Sequence, residues 1–350
     1  MYDILKQVKN FNPDFYQELV KDLLYGIPCS TSSYHYMRYL YVQTHGKFNE
    51  EACNLYSLFR PKQVPLPCSG ILVKSNSVNP QINFSEAQAG LANDGIYQFP
   101  IGLSTELTQL LQDIIFSTPV LDHKTDRYIL PSTLINQAES YQATYQVDID
   151  KLLPRRAIQE IILDPSLLFL AQEFLGCNPT LCTIAIWFSF PLAHSDSQQR
   201  DIQLSHAAQK FHFDMDRIKF INVFIYLTDV DTNSGPFVYV KGSHNQKPPQ
   251  FRDGRYEDWE IADFYGSQNI IEVTGRAGSI FVANNFGFHK GKPLLSGFRL
   301  VLQLVYSVSL FGTETQCSPV STSVHGQDFI NQLMQRKLSF LGRFSVNIET

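Results

Sequence analysis

Charge is what this chain has least of. Charged residues make up 17% of its 350 positions, and 28 Lys+Arg stand against 33 Asp+Glu, a formal net charge of -5. No Lys/Arg run forms a basic stripe, which disfavours a nucleic-acid backbone binder. Cysteine is sparse as well. The six (Cys29, Cys53, Cys68, Cys177, Cys182 and Cys317) form no C-x-x-C. In a chain this long they read as small buried hydrophobes in a reducing compartment, not as a disulfide framework. No apolar run reaches the roughly 18 residues a membrane span needs. The N-terminus, MYDILKQVKNFNPDFYQ, lacks the apolar stretch of a secretory signal. A soluble, cytoplasmic protein is expected. Also missing are G-x-G-x-x-G, Walker A, G-x-S-x-G and H-E-x-x-H, so dinucleotide, P-loop, α/β-hydrolase and zincin readings lose their usual support.

What is present is apolar and aromatic. Hydrophobic residues account for 44% and aromatics for 13%, with Phe 26 and Tyr 17, a globular composition leaning toward a β-rich interior. At about 150 residues per domain, the length allows one large domain or two small ones. Asn12-Pro13-Asp14 opens a helix with a cap, a proline at the first helical position and an early acid; Phe15, Leu19 and Leu23 give it one face, and Gly26 closes it. Ser104 caps LTQLLQDIIF, and Asp164-Pro165 opens SLLFLAQEFLG, stopped by Gly176. Between Ser30 and Phe84 periodicity weakens, and KSNSVNPQ at 74–81 reads as a linker. After Gly176 the pattern is of strands: Thr183–Phe190, Lys219–Leu227, Pro236–Lys241, Ile270–Val273, Ser279–Val282 and Arg299–Val308. Short strands without alternating helices predict a mainly β sandwich or jelly-roll barrel with flanking helices. The expected organisation is a mainly helical N-terminal extension over 1–83, a barrel domain over 84–312, and a C-terminal tail over 313–350 with a short helix.

Metal chemistry enters through histidine. H-x-D occurs twice, at His194-Ser195-Asp196 and His212-Phe213-Asp214; chance alone gives roughly half a match, so the pattern by itself decides little. His194 and Asp196 sit in HSDSQQRD, a polar run that reads as solvated loop. His212 leads FHFDMDRIKFINVFIYL, where alternation puts His212, Asp214 and Asp216 on one face and Phe211, Phe213 and Met215 on the other. Two His and one carboxylate on one side of a metal suit non-haem Fe(II), because the other side stays open to substrate and dioxygen. A third ligand should come from another strand, and His289 stands before the Gly291/Pro293 turn. Arg299 follows it by ten residues on the next strand, placed to hold a carboxylate bidentately beside the metal. Asp216 reads as an acceptor for a metal-bound imidazole, and His244, in VKGSHN, as structural. His206, Gln209, Tyr226 and Gln303 are candidate pocket contacts.

These residues resemble the phytanoyl-CoA dioxygenase branch of the Fe(II)/2-oxoglutarate oxygenases. The likeness runs from about Leu91 to Phe311 through DGIYQFP–LSTEL, WFSFP, AQKFHFD, YLTDVDTNSGPFVYVKGSH and the His289…Arg299 pair. It implies a double-stranded β-helix in which His212, Asp214 and His289 bind iron and Arg299 binds the far carboxylate of 2-oxoglutarate, with Gln209, Tyr226 and Gln303 as further cosubstrate contacts. The family often has Gly directly after the distal His; here it is Lys290-Gly291, which leaves the secondary cosubstrate contacts open. The implied reaction hydroxylates a small molecule, lipid-, glycan- or natural-product-like, with release of succinate and CO2. Related halogenases replace the carboxylate ligand with a small residue, and Asp214 disfavours that outcome. Two alternatives remain: a cupin-like metalloprotein using Zn²⁺ or Mn²⁺ without 2-oxoglutarate, and a non-catalytic binding module on the same barrel. Oligomeric state is not legible.

Overall fold

The computed structural model describes residues 2–6, 8–25, 29–73, 84–122, 125–136, 140, 142–192, 208–249, 251–312, 318–335 and 344–347. The 74–81 linker, Gly26, His194, Asp196, His206 and Cys317 lie outside them. Eleven strands concern the site: β1 (Ile96–Gly102), β2 (Val120–Asp122), β3 (Arg127–Ile129), β4 (Thr144–Gln146), β5 (Thr180–Ser189), β6 (Phe220–Tyr226), β7 (Phe237–Val240), β8 (Ile270–Val273), β9 (Ser279–Ala283), β10 (His289–Gly291) and β11 (Arg299–Ser307). They form a six-stranded sheet ordered β1-β9-β6-β11-β5-β4 and a three-stranded sheet ordered β10-β7-β8, with β2 and β3 as a separate hairpin. Every pairing within the two sheets is antiparallel. Phe237 of the small sheet packs with tilted rings against Phe224 and Phe281 of the large one at 5.0 and 5.4 Å between ring centroids. The sheets therefore face each other across a shared aromatic interior, the arrangement of a double-stranded β-helix.

The large-sheet strands are apolar on both faces because both are covered. Ile184, Ile186, Ile221, Val223, Leu300 and Leu302 point outward, into one cluster with Leu167, Leu168 and Leu170 of the helix Pro165–Leu175. Phe224, Tyr226, Phe281 and Val301 alternate with them and point inward. Helix starts are built as their sequences suggest. Asn12 accepts from the backbone N–H of Asp14 and Phe15, Ser104 from Leu107, and Asp164 from Ser166 and Leu167.

Two expectations need correction. Mainly β overstates the strand share, since more residues are helical than extended. Much of the excess comes from the helices Thr31–Thr44, Lys47–Phe59 and Phe84–Asn93. Phe15 is 46% exposed while Leu19 and Leu23 are buried, so the first helix packs through a narrower face. The tail holds the short helices Thr322–His325 and Gln327–Gln335 and a parallel strand pair, Ser318–Ser321 with Phe344–Asn347. Among the described residues no helix is long and apolar enough to cross a membrane, and no two of the five described cysteines are joined by a disulfide.

Candidate metal and cosubstrate site

The H-x-D segment is not the start of β6. Phe211 and His212 bridge to Tyr256 and His289, adding to the small sheet, and the chain then crosses over 213–219 to enter the large sheet at Phe220. His212 and His289 exchange both backbone hydrogen bonds, at 3.0 and 2.8 Å, and the Asp214 N–H donates to the Asn285 carbonyl at 2.8 Å. This ladder brings the two imidazoles to 4.3 Å between ring centroids. Phe211, Phe213 and Met215 alternate with the ligating positions and are buried behind them, which keeps His212 and Asp214 on the open face.

Orientation comes from the backbone. His212 Nδ1 lies 2.9 Å from the Lys210 carbonyl, and His289 Nδ1 lies 2.9 Å from the Gly287 carbonyl. A carbonyl only accepts, so each Nδ1 carries the proton and each Nε2 presents a lone pair. Those Nε2 atoms face the two Asp214 oxygens at 3.6 and 3.5 Å. Burial, followed by the neighbouring His289 and Arg255, holds the His212 imidazolium well below its ordinary range, so the ring is neutral. One ligand atom from each of the three residues lies within 4.8 Å of the others. Two lone pairs and a carboxylate thus converge, an arrangement that repels itself until a cation sits between them. The donor set fits a divalent metal.

Asn285 is the part of this centre that H-x-D reasoning missed. Its Nδ2 donates to Asp214 Oδ2 at 2.9 Å and lies 3.3 Å from His289 Nε2. The only prior signal was its place in NNFGFH, four residues before the histidine. Gly287 in the same turn is required by space: a Cβ there would come within 2.0 Å of the Tyr239 hydroxyl, which itself donates to the Asn284 carbonyl.

A cavity of about 390 Å³ opens beside the triad, and Tyr226, Arg299 and Gln303 line it with Trp187, Phe237 and Phe281. Arg299 starts β11 opposite Ser189 of β5. Its guanidinium donates to the Gly235 carbonyl and, at 3.2 Å, to Ser189 Oγ. It is buried, and among the described residues its Nε has no partner and no carboxylate pairs with it; burial lowers its pKa. A buried unpaired guanidinium is costly, and a ligand carboxylate would satisfy it. Gln303 donates to Asn222 at 2.7 Å. Tyr226 contributes only its ring, because its hydroxyl donates to the Val273 carbonyl at 2.9 Å and accepts from the Phe237 N–H at 3.0 Å; burial pushes its pKa up to about 12. Gln209 is buried beside Gly291 and outside the cavity wall, with its Oε1 unpartnered.

Asp216 does not support an imidazole. It lies outside the cavity, accepting from Tyr34 at 2.7 Å and pairing with Arg38 at 3.3 Å. The crossover between sheets ends the alternation before it, and carbonyls take the role it was given. His244 contacts the Ala92 carbonyl at 3.2 Å and tethers the 241–245 turn to the helix Phe84–Asn93.

Residues 139–300 match the model of the family described as Phytanoyl-CoA dioxygenase (PhyH). Over those residues the chain carries a PhyH-like domain. The match supports an Fe/2-oxoglutarate-dependent enzyme, and the residues lining the cavity lie within the matched segment except Val301 and Gln303. Among solved structures, HygX from Streptomyces hygroscopicus with nickel and 2-oxoglutarate bound is 14% identical over 70% of this chain and 92% of its own, with a TM-score of 0.45. The epimerase SnoN in complex with Fe3+, alpha ketoglutarate and nogalamycin RO is 16% identical over 64% of this chain and 83% of its own, with a TM-score of 0.44. No curated protein matches the sequence.

Proposed function

We propose that this PhyH-like enzyme is a dioxygenase that hydroxylates a small molecule, with His212, Asp214 and His289 as the iron ligands and Arg299 as the clamp for the far carboxylate of 2-oxoglutarate. The observation that carries the reading is the pairing of two features in one cavity: a carboxylate and two proton-free Nε2 atoms that need a cation, and a buried guanidinium that needs an anion. When bound, iron and 2-oxoglutarate supply oxygen activation, with release of succinate and CO2. The protein's own residues do the positioning. Lys210 and Gly287 carbonyls fix the imidazole tautomers, and Asn285 holds one Asp214 oxygen. Trp187, Phe224, Phe237 and Phe281 keep water from the cavity. Asp214 as a carboxylate ligand occupies the place a halide would need, which favours hydroxylation over halogenation.

Supporting the cosubstrate role is the address of Arg299. It faces the cavity from the large sheet, while the ligands face it from the small one. The test is succinate release by the Fe(II)-loaded enzyme on 2-oxoglutarate. Wild type is expected to release succinate, Asp214→Ala none, and Arg299→Ala only at raised 2-oxoglutarate concentration. Metal binding with no 2-oxoglutarate turnover would support the cupin-like alternative, and failure to bind Fe(II) anaerobically the non-catalytic one.

A further inference from the structure

Four cations on the segments that carry or flank His212, Tyr256 and His289 are paired with carboxylates. Lys210 meets Glu257 at 3.1 Å, Arg252 meets Glu260 at 3.0 Å, Lys290 meets Asp258 at 2.5 Å, and Lys292 meets Glu272 at 2.6 Å. Arg255 is different. It is exposed, and among the described residues no carboxylate lies within ion-pair distance of it. Of its two nearest sequence neighbours of opposite sign, Asp253 is held by the Arg38 guanidinium through both oxygens at 2.7 and 2.8 Å, and Glu257 pairs with Lys210.

Register says where Arg255 points. Tyr256 bridges antiparallel to Phe211, its N–H donating to the Phe211 carbonyl at 2.8 Å. Both rings are buried in the same cluster. Side chains alternate along each strand and opposed residues share a face, so Arg255 stands on the face of His212, toward the metal centre. The charges agree: Asp214 lies near enough to attract the Arg255 guanidinium. The segment is stiff. The Tyr256 hydroxyl accepts from the Arg252 N–H and donates to the Arg252 carbonyl, both at 2.7 Å, and Arg252 lies 4.0 Å over the Tyr256 ring. A capping box between Glu257 and Glu260 anchors the helix that follows.

We propose that Arg255 is the substrate-reading residue of this site, and that the substrate carries an anionic group, a carboxylate or a phosphate, beside the carbon that reacts. This rests on the oxygenase reading above and narrows it to acidic substrates. A fixed guanidinium at the rim binds such a group bidentately, steers it toward the centre, and rejects amines. Arg299 serves the cosubstrate at the cavity wall, so the two arginines divide two anions between them.

The test uses the anaerobic protein loaded with Fe(II) and saturating 2-oxoglutarate, titrated calorimetrically with phenylacetate, phenyl phosphate, benzyl alcohol and benzylamine. Wild type is expected to bind the two anions at least tenfold more tightly than benzyl alcohol. Arg255→Ala should lose that preference, Arg255→Lys keep part of it, and Arg255→Glu turn it toward benzylamine, all with the visible iron–cosubstrate band retained. Equal affinity for anionic and neutral probes in wild type, no anion binding, or an unchanged preference in Arg255→Ala would overturn the proposal. Loss of the band in Arg255→Ala would also overturn it, assigning the residue to the iron centre. A wild-type protein with no band at all refutes the oxygenase reading instead.

Discussion

Both histidines of the triad use the same local device: each Nδ1 meets the carbonyl two residues before it, Lys210 for His212 and Gly287 for His289. No acidic partner is needed, which is why Asp216 is free to pair with Tyr34 and Arg38. Asn285 then becomes the side chain most able to tune the centre. Asn285→Ala should weaken Fe(II) binding by about 10–100-fold, the usual cost of losing a group that orients a ligand. A competition titration against a metal-binding dye checks it, and unchanged affinity would remove Asn285 from the site. Behind the triad, Lys247 is fully enclosed, donating to the Phe286 carbonyl beneath the rings of Phe213, Phe251 and Phe288. Burial drives its ammonium well below the ordinary lysine range. The unfolded chain therefore binds a proton here more readily than the folded one, so folded stability rises with pH up to the unfolded pKa near 10.4. Thermal melts should show wild type gaining on Lys247→Met between pH 7.5 and 10. A constant difference would mean that Lys247 keeps its charge.

Among the elements, the helix Thr31–Thr44 does most for the site while contributing no ligand. Tyr41 stacks on Phe286 at 4.8 Å and Phe213 at 6.3 Å, the residues that flank the NNFGFH turn and the H-x-D segment. Tyr41→Ala should cost about 3–5 kcal/mol, the range for emptying a large aromatic site in a core, and lower Fe(II) affinity with it; urea unfolding and metal titration measure the two. This helix was poorly legible. Its TSSYHYMRYLYVQT is rich in aromatic and β-branched residues, which favour strands locally, and tertiary packing overrides them. The β6, β8, β9 and β11 strands were legible within a residue or two, because each is a mostly apolar run, rich in β-branched and aromatic residues or leucine, bounded by polar or turn residues. Their face assignments on β11 could be read too: Arg299, Val301 and Gln303 all line the cavity. What alternation alone could not show was the crossover at 213–219, since a run of alternating residues looks the same whether it stays in one sheet or changes to another.

At the scale of the whole molecule, the outer cluster joins the large sheet to its helices and two inner clusters pack the barrel, and His212, Asp214 and His289 belong to none of them. Removing the metal should therefore leave the protein folded. Adding Fe(II) at 100 times its Kd should stabilise it by about 2.7 kcal/mol, pure mass action on a preformed site. Chelator-treated protein that lost its far-UV signal would show instead that metal drives folding. His212 and His289 lie with the small sheet and Arg299 on the large one, so any coupling between them is a property of the closed barrel. Anaerobic titration with Fe(II) and then 2-oxoglutarate tests that coupling most directly. A visible charge-transfer band should form in wild type, fail to form in Asp214→Ala, and require far more 2-oxoglutarate in Arg299→Ala. A band of wild-type intensity and affinity in either variant would contradict the site as assigned.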